Sequence, residues 1–234
     1  MQLFYNSRLD NSAQQFVFPA DESKHIVKVL RKKEGDILHI TNGKGSLFKA
    51  EILVADPKKC KVQLVSTEKS IPKLYHLHIA VAPTKMNDRF EWFLEKATEI
   101  GIDEITPLLC DNSERKVIKQ ERYERVLQSA MKQSLQTKLP KLNPLTSYSQ
   151  FIENAGAQQK FIAHCEDADK AEFKRCLHAD KDVIVLIGPE GDFSPAEINL
   201  ALENKYKPIS LGRNRLRTET AAIVACCTVN MINN

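Results

Sequence analysis

Five consecutive apolar residues, Val183-Ile184-Val185-Leu186-Ile187, run directly into Gly188-Pro189-Glu190-Gly191-Asp192-Phe193-Ser194-Pro195-Ala196-Glu197. An unbroken, mostly β-branched run of this length suits a strand covered on both faces. The two glycines let the backbone turn sharply and approach a ligand with no Cβ in the way. Ser194 is placed to cap the next helix, Pro195 suits its first position, and Glu197 completes a capping box. The pattern reads as strand, glycine loop, capped helix. A tight turn with a purely structural role is the competing account.

From Leu74 onward the chain repeats that alternation. Strands are expected at residues 77–81, 105–109, 160–164, 183–187 and 208–211. Helices are expected at 90–100, 121–134, 195–203 and 218–231. Such alternation predicts an α/β fold around a largely parallel sheet, with ligands at the carboxyl ends of the strands. The first seventy residues differ. Short strand candidates at 16–18, 37–41, 47–54 and 61–65 surround a helical stretch at 21–30, which places His25, Val29 and Leu30 near one face. Asn42-Gly43 is a hairpin signal. This part reads as a small β-barrel. Residues 67–73 turn polar, carry Pro72 and read as a linker, which divides the chain into domains at 1–70 and 74–234.

Charge follows the same division. Residues 1–70 hold 12 Lys and Arg against 8 Asp and Glu, so the whole net charge of +4 resides there. A polyanion partner for the N-terminal module and a solvated basic face are both consistent with that excess. The densest basic run, Lys28, Arg31, Lys32 and Lys33, is the candidate for phosphate contacts. With 42% hydrophobic and 27% charged residues, disordered and collagen-like classes are excluded. No apolar stretch approaches the ~18 residues of a membrane span, and the N-terminus lacks a signal-peptide pattern. The expected compartment is the cytoplasm, with no membrane partner. Six cysteines form no CxxC pair, so neither a zinc site nor a disulfide framework is expected, and no metal.

The glycine loop lacks the Lys-Ser/Thr of a P-loop and is not GxGxxG, and Glu190 and Asp192 disfavour a phosphate beside it. A neutral or locally cationic ligand fits better. A second loop follows, Leu211-Gly212-Arg213-Asn214-Arg215-Leu216-Arg217-Thr218-Glu219-Thr220-Ala221. Thr218 is a capping candidate and Glu219 complements the helix dipole. Arg213, Arg215 and Arg217 face one way if the segment is extended. An Arg217–Glu219 ion pair competes with an arginine that reaches RNA phosphate or a reacting base.

Taken together, Ile187-Gly-Pro-Glu-Gly191 and Leu211-Gly-Arg-Asn-Arg-Leu-Arg-Thr-Glu-Thr-Ala221 resemble the paired motifs of the RsmE family within the SPOUT methyltransferases. Lys85, Phe90-Glu91 and Lys96-Ala-Thr-Glu99-Ile-Gly101 are similar to the family's first helix. Ser113-Glu114-Arg115 and Lys132-Gln133-Ser134 match two shorter signatures. Asp192 stands where the family often has a second glycine, and Lys132 where glutamate is common.

The resemblance implies an S-adenosylmethionine-dependent enzyme that methylates N3 of a uridine in 16S rRNA, or in the small ribosomal subunit, and works as a homodimer. It implies a trefoil-knotted SPOUT domain with a parallel sheet, behind a PUA-like RNA-binding barrel. By position it assigns the cofactor to Ala163, His164 and Glu166, to Ile187, Gly188, Pro189, Glu190 and Gly191, and to Leu211, Gly212, Leu216, Arg217 and Thr218. RNA contacts extend on the same ground to Lys85, Arg115, Arg213 and Arg215. A SPOUT enzyme forming 2′-O-methylribose and a non-catalytic RNA-binding assembly factor are the alternatives.

Uracil N3 must lose a proton before it attacks a methyl group, so a base or a cation that stabilises the uracil anion is required. Arg217 is the candidate cation; Glu99 and Glu114 are candidate bases. His164 either borders the cofactor, as the resemblance implies, or is a packed, hydrogen-bonded loop histidine. His76 and His78 are expected to face solvent, and Trp92 to lie in the core or a dimer contact, with a base-stacking platform as the alternative.

Overall fold

A computed structural model describes residues 1–10, 12–166 and 169–234. The chain separates into two compact units: residues 1–72 with 131–139, and residues 73–130 with 140–234.

The first unit holds β1 (Leu3–Tyr5), β2 (Gln15–Val17), α1 (Ala20–Lys24), β3 (Ile37–Thr41), β4 (Ser46–Val54) and β5 (Lys61–Lys69). Its five strands form one sheet in the order β1-β3-β4-β5-β2. Phe4, Phe18, Ile26, Ile40, Phe48 and Ile52 are among the residues of its core. Asn42 and Gly43 do sit in the β3–β4 turn. The loop is longer than a two-residue hairpin, because Thr41 pairs with Leu47. Asn42 builds it: its Oδ1 accepts from the Lys44 N–H at 2.9 Å and its Nδ2 donates to the Leu9 carbonyl at 3.2 Å. β5 continues to Lys69, so residues 67–69 are strand rather than linker. After α1 the chain winds as a π-helical turn, His25–Val29. That wider winding turns Ile26 into the core and leaves Val29 exposed, away from the face expected for it.

Residues 131–139 complete this unit. The Thr137 carbonyl accepts from Thr41 Oγ1 at 2.8 Å and from the Gly45 N–H at 2.9 Å. Lys132 Nζ lies 3.9 Å from Glu22 Oε1, so the lysine at the family's glutamate position has an acidic neighbour.

The second unit is β6 (Leu77–Val81), α2 (Asn87–Ile100), β7 (Glu104–Leu109), α3 (Gln120–Gln133), β8 (Lys141–Leu142), β9 (Thr146–Ser147), α4 (Tyr148–Asn154), β10 (Gln159–Ala163), β11 (Ala171–Glu172), α5 (Phe173–Cys176), β12 (Val183–Ile187), α6 (Pro195–Glu203), β13 (Lys207–Ser210) and α7 (Thr218–Asn233). The last residues of α3 belong to the first unit. The strands order as β11-β13-β10-β12-β6-β7-β8, with β9 also on β7, and every pairing is parallel. β12 lies centrally and all five of its residues are buried, as an apolar run demands. On one face Ile184 and Leu186 join Tyr148, Phe151, Phe193, Ile198 and Tyr206. α2 packs along α7, and α7 also contacts β6 and β12. The capping box forms: Ser194 Oγ accepts from the Glu197 N–H at 3.2 Å, and the Ser194 N–H donates to Glu197 Oε2 at 2.8 Å. Among the described residues no helix is long and apolar enough to cross a membrane.

His78 is only 8% exposed, contrary to the expectation that it faces solvent, because β6 is covered on both faces. Its Nε2 lies 2.7 Å from Thr106 Oγ1, which also accepts from Asn143 Nδ2 at 2.7 Å. Half-buried His76 lies 3.0 Å from Glu104 Oε2. Burial, only partly opposed by Glu104, lowers the His78 pKa from 6.5 to about 4. The unfolded chain therefore takes up a proton below pH 6.5 that the folded chain refuses until about pH 4. Burial resists ionisation of Glu104, but Lys141, Asn143 and the two histidines outweigh it and lower its pKa from 4.5 to about 2. This contribution is present above pH 4.5 and is lost as pH falls towards 2. Both act in the same direction. Urea denaturation should show a loss of about 2–3 kcal/mol between pH 7 and pH 4 from His78, and His78→Gln should flatten that slope. An unchanged slope in the variant counts against this assignment.

Candidate active site

Three central strands of the second unit end level with one another. Ala163 of β10, Ile187 of β12 and Val81 of β6 are cross-strand partners, and Ile209 of β13 pairs with Ala163. The segments leaving these four strands therefore emerge along one edge, the carboxyl edge where open parallel sheets bind ligands.

Hydrogen bonds join those segments. Thr218 Oγ1 donates to the Gly188 carbonyl at 3.0 Å and so ties the two glycine loops together. It does not cap α7, whose N-cap is Arg217 without a side-chain bond. Glu190 Oε1 accepts from the Lys85 N–H at 2.9 Å, which joins the loop after β12 to the segment after β6. Asp192 Oδ2 accepts from the Cys165 N–H at 2.7 Å, which joins it to the segment after β10. Gly188 is packed tightly: a Cβ there would sit 3.1 Å from the Phe193 ring and 3.2 Å from its backbone nitrogen.

Asp192 has φ +63, in the left-handed region that costs an ordinary L-residue roughly 1–2 kcal/mol. Glycine would avoid that cost. The aspartate offsets the cost with its bond to Cys165 and a second, from the Phe193 N–H to Oδ1 at 2.9 Å. Asp192→Ala should lose both bonds and keep the strain, for a destabilisation of about 2 kcal/mol in urea. Asp192→Gly should lose the bonds without the strain and be about 1 kcal/mol more stable than the alanine variant. Equal stabilities would contradict this account.

The loops enclose two neighbouring cavities. One, of about 290 Å³, is lined by Ala163, Ile187, Gly188, Pro189, Glu190, Leu216, Arg217 and Thr218 among the residues expected there. The other, of about 490 Å³, is lined by Ala163, His164, Leu211, Gly212, Arg213, Arg215 and Leu216. Glu166 and Gly191 line neither. Gly191 instead packs on Asn112, whose Nδ2 donates to its carbonyl at 3.2 Å. The first cavity carries three carboxylates, Glu190, Asp192 and Glu219, against three guanidinium groups, Arg89, Arg215 and Arg217. Its field is thus mixed rather than acidic, and it suits a ligand bearing both signs of charge. A third, open cavity of about 660 Å³ adjoins it, lined by Asp88, Arg89, Trp92, Arg215, Leu216, Arg217, Glu219 and Thr220.

Several sequence expectations change here. The three loop arginines do not face one way: bends at 213–214 break the period of two, so Arg213 reaches the 490 Å³ cavity and Arg217 the 290 Å³ cavity. Glu219 is paired not with Arg217 but with Arg89, whose Nε lies 3.9 Å from its Oε1. Trp92 is 45% exposed and is not a core residue, because its face of α2 borders the open cavity. Glu99 lies near the far end of α2, pairs with Lys96 at 3.0 Å and lines none of the three cavities. Ten residues of helix, ~15 Å, separate it from Arg89. Glu114 also lines none of them; it pairs with Lys85 Nζ at 2.7 Å, which raises the lysine pKa. Arg115 donates to the carbonyls of Thr84 and Lys85 at 2.9 and 2.6 Å and braces that segment. In the first unit Lys28, Arg31 and Lys33 are exposed and Lys32 half-buried. Arg89 and Cys165 are lining residues that the sequence did not single out, and Glu219 is a third that it offered only as a helix-dipole complement or ion-pair partner.

Fold and site define an enzyme class, the RNA methyltransferases: residues 71–230 match the RNA methyltransferase domain and residues 18–65 the RNA methyltransferase PUA domain. Ribosomal RNA small subunit methyltransferase E of Buchnera aphidicola is 32% identical over 225 residues, spanning 92% of this chain and 88% of the relative. The chain belongs to that family. A crystal structure of a probable rRNA-methyltransferase from Porphyromonas gingivalis is 40% identical with a TM-score of 0.93, covering 100% of this chain and 98% of the other. A Legionella pneumophila protein described as a methyltransferase, solved in complex with bound SAM, is 28% identical with a TM-score of 0.87 over 99% and 97% of the two chains.

Proposed function

We propose that this protein uses S-adenosylmethionine to methylate N3 of one uridine in the 16S rRNA of the small ribosomal subunit. The observation that carries this reading is a pair of adjoining cavities with shared walls: Arg89, Arg215, Leu216, Arg217 and Glu219 line both the 290 Å³ and the 660 Å³ cavity. An in-line displacement needs donor and acceptor side by side, and two adjoining cavities supply that arrangement.

The residues present fit the cofactor. S-adenosylmethionine carries a sulfonium, an ammonium and a carboxylate, matching the mixed charges of the smaller cavity. When bound it supplies an activated methyl group. His164 Nδ1 is buried with no hydrogen-bond partner among the described residues, on the wall of the 490 Å³ cavity, and a polar ligand atom there would satisfy it. Burial lowers the pKa of His164, which keeps the ring neutral. The chain's own work is positioning: the backbone of residues 188–190 and 211–216 holds the cofactor, and Arg217 stabilises negative charge on the uracil.

In the same reading residues 1–70 bind RNA, with Lys28, Arg31, Lys32 and Lys33 on phosphates, and residues 74–234 carry the reaction. The protein works in the cytoplasm as a homodimer, and its C-terminal segment passes through a deep trefoil knot. Family membership supports these three features. Nucleoside mass spectrometry of 16S rRNA from a deletion strain tests the reaction. 3-Methyluridine should vanish and return on complementation; its persistence would refute the reading. Loss of a 2′-O-methylribose instead would transfer the activity to the ribose.

A further inference from the structure

We infer that Glu219 is the base that accepts the N3 proton of the target uridine, held in place by Arg89; the inference rests on the proposed reaction. Glu219 belongs to the first turn of α7 and is 7% exposed, yet it lines both the cofactor-sized cavity and the open cavity beside it. A base for this reaction needs that location, since the proton leaves the same nitrogen that receives the methyl group.

The other acidic groups lining these cavities accept backbone N–H bonds: Glu190 from Lys85, Asp192 from Cys165 and Asp88 from Arg89. The Glu219 carboxylate has no hydrogen-bond donor among the described residues. Its one charged partner, Arg89 Nε, stands at 3.9 Å, beyond hydrogen-bond reach. Its oxygens therefore remain available to an N–H that enters the open cavity. Trp92 forms an apolar wall of that cavity, of a size to rest against a flat base. The remaining charged groups facing the same space are Asp88 and Arg89 from α2, Arg215 and Arg217 from the loop before α7, and Glu190 and Asp192 from the loop after β12.

The step balances without a further reactant. The N3–H bond breaks, its proton passes to the Glu219 carboxylate and its electron pair stays on nitrogen. Nitrogen bonds the methyl carbon as the carbon–sulfur bond breaks, with that pair left on sulfur. Glu219 then returns the proton to water. Arg89 is a positioning residue: its guanidinium, 3.9 Å from Oε1, orients the carboxylate.

The test uses the full-length Glu219→Gln variant, small subunits reconstituted with unmethylated rRNA, and the same subunits carrying 5-fluorouridine, whose N3 is more acidic. Single-turnover methylation of ordinary subunits should fall about 100-fold or more. S-adenosylmethionine affinity by calorimetry should fall by less than about tenfold, far less than the rate, because the cofactor loops are intact although one of the cavity's three carboxylates is neutralised. The 5-fluorouridine substrate and higher pH should each restore the variant by about tenfold relative to wild type, since both lessen the need for a base. A variant rate near wild type overturns the inference. So does a slow variant that neither 5-fluorouridine nor pH rescues, or one that has lost cofactor affinity, because each marks a structural role. Should Glu219→Gln fail to fold, Glu219→Asp decides. It should be slower with the wild-type pH profile, and a rate that climbs steadily with pH would overturn the inference. Wild-type enzyme that forms no 3-methyluridine refutes the proposed reaction instead.

Discussion

Arg217→Ala should lower single-turnover methylation about 100- to 1000-fold while leaving the fold intact. Removing one preorganised donor aimed at developing negative charge has an effect of this size in other enzymes. Arg217 suits that role. It is exposed, lies at the N-terminus of α7, lines both the cofactor-sized and the open cavity, and has no ion pair among the described residues. Because no carboxylate depends on it, its loss should shift stability by under about 0.5 kcal/mol. Arg217→Lys should recover part of the rate, since charge returns without the planar fork. Calorimetry with S-adenosylmethionine separates chemistry from binding. If affinity and turnover fall together by the same factor, Arg217 serves only to hold the cofactor. Retained turnover would remove its catalytic role.

Gly188→Ala should have its main effect on cofactor binding. The added Cβ meets the Phe193 ring at 3.1 Å and the Phe193 nitrogen at 3.2 Å, and the backbone atom has little freedom to retreat. Phe193 is buried against Tyr148, with ring centroids 5.3 Å apart, so its ring is also confined. Overpacking of this kind costs about 1–3 kcal/mol. Relief requires the loop to move outward, which also strains the bond from Thr218 Oγ1 to the Gly188 carbonyl. Affinity for S-adenosylmethionine should therefore fall about 10- to 100-fold. Gly156→Ala is the control, because a Cβ there meets nothing within 4 Å. Equal affinities in the two variants would refute a packing role for Gly188.

Local elements were readable wherever local physics decides them. The helix at Pro195–Glu203 begins and ends where its capping signals and apolar pattern put it. The strand at Val183–Ile187 follows from an apolar run that no exposed strand would carry. His78 was misread for the complementary reason. Its neighbours alternate in polarity, but a central strand has no solvent face, and centrality depends on partners far away in sequence. Short pieces such as β8, β9 and β11, two residues each, are too brief for any periodic signal to show. An Arg217–Glu219 pair is one of two readings of the sequence, because residues two apart along the chain look close. In the fold the nearest cation to Glu219 is Arg89, 130 positions earlier.

The two glycine loops were legible in the chain alone, because the backbone requirements of a tight turn admit few residue types. Their union was not. Strand order β13-β10-β12-β6 brings together segments that follow residues 81, 163, 187 and 210, and parallel pairing leaves no local trace of who neighbours whom. Thus Gly188, Thr218 and the loop arginines could be named from sequence as candidates, and the fold sets them on cavity walls. The ties from Asp192 to Cys165, Glu190 to Lys85 and Thr218 to Gly188 arise only when the sheet sets four strand ends along one edge. Sequence determined which loops turn on glycine, since turn chemistry is local; tertiary structure decided which carboxylates and cations line the same cavities, since charge acts through space.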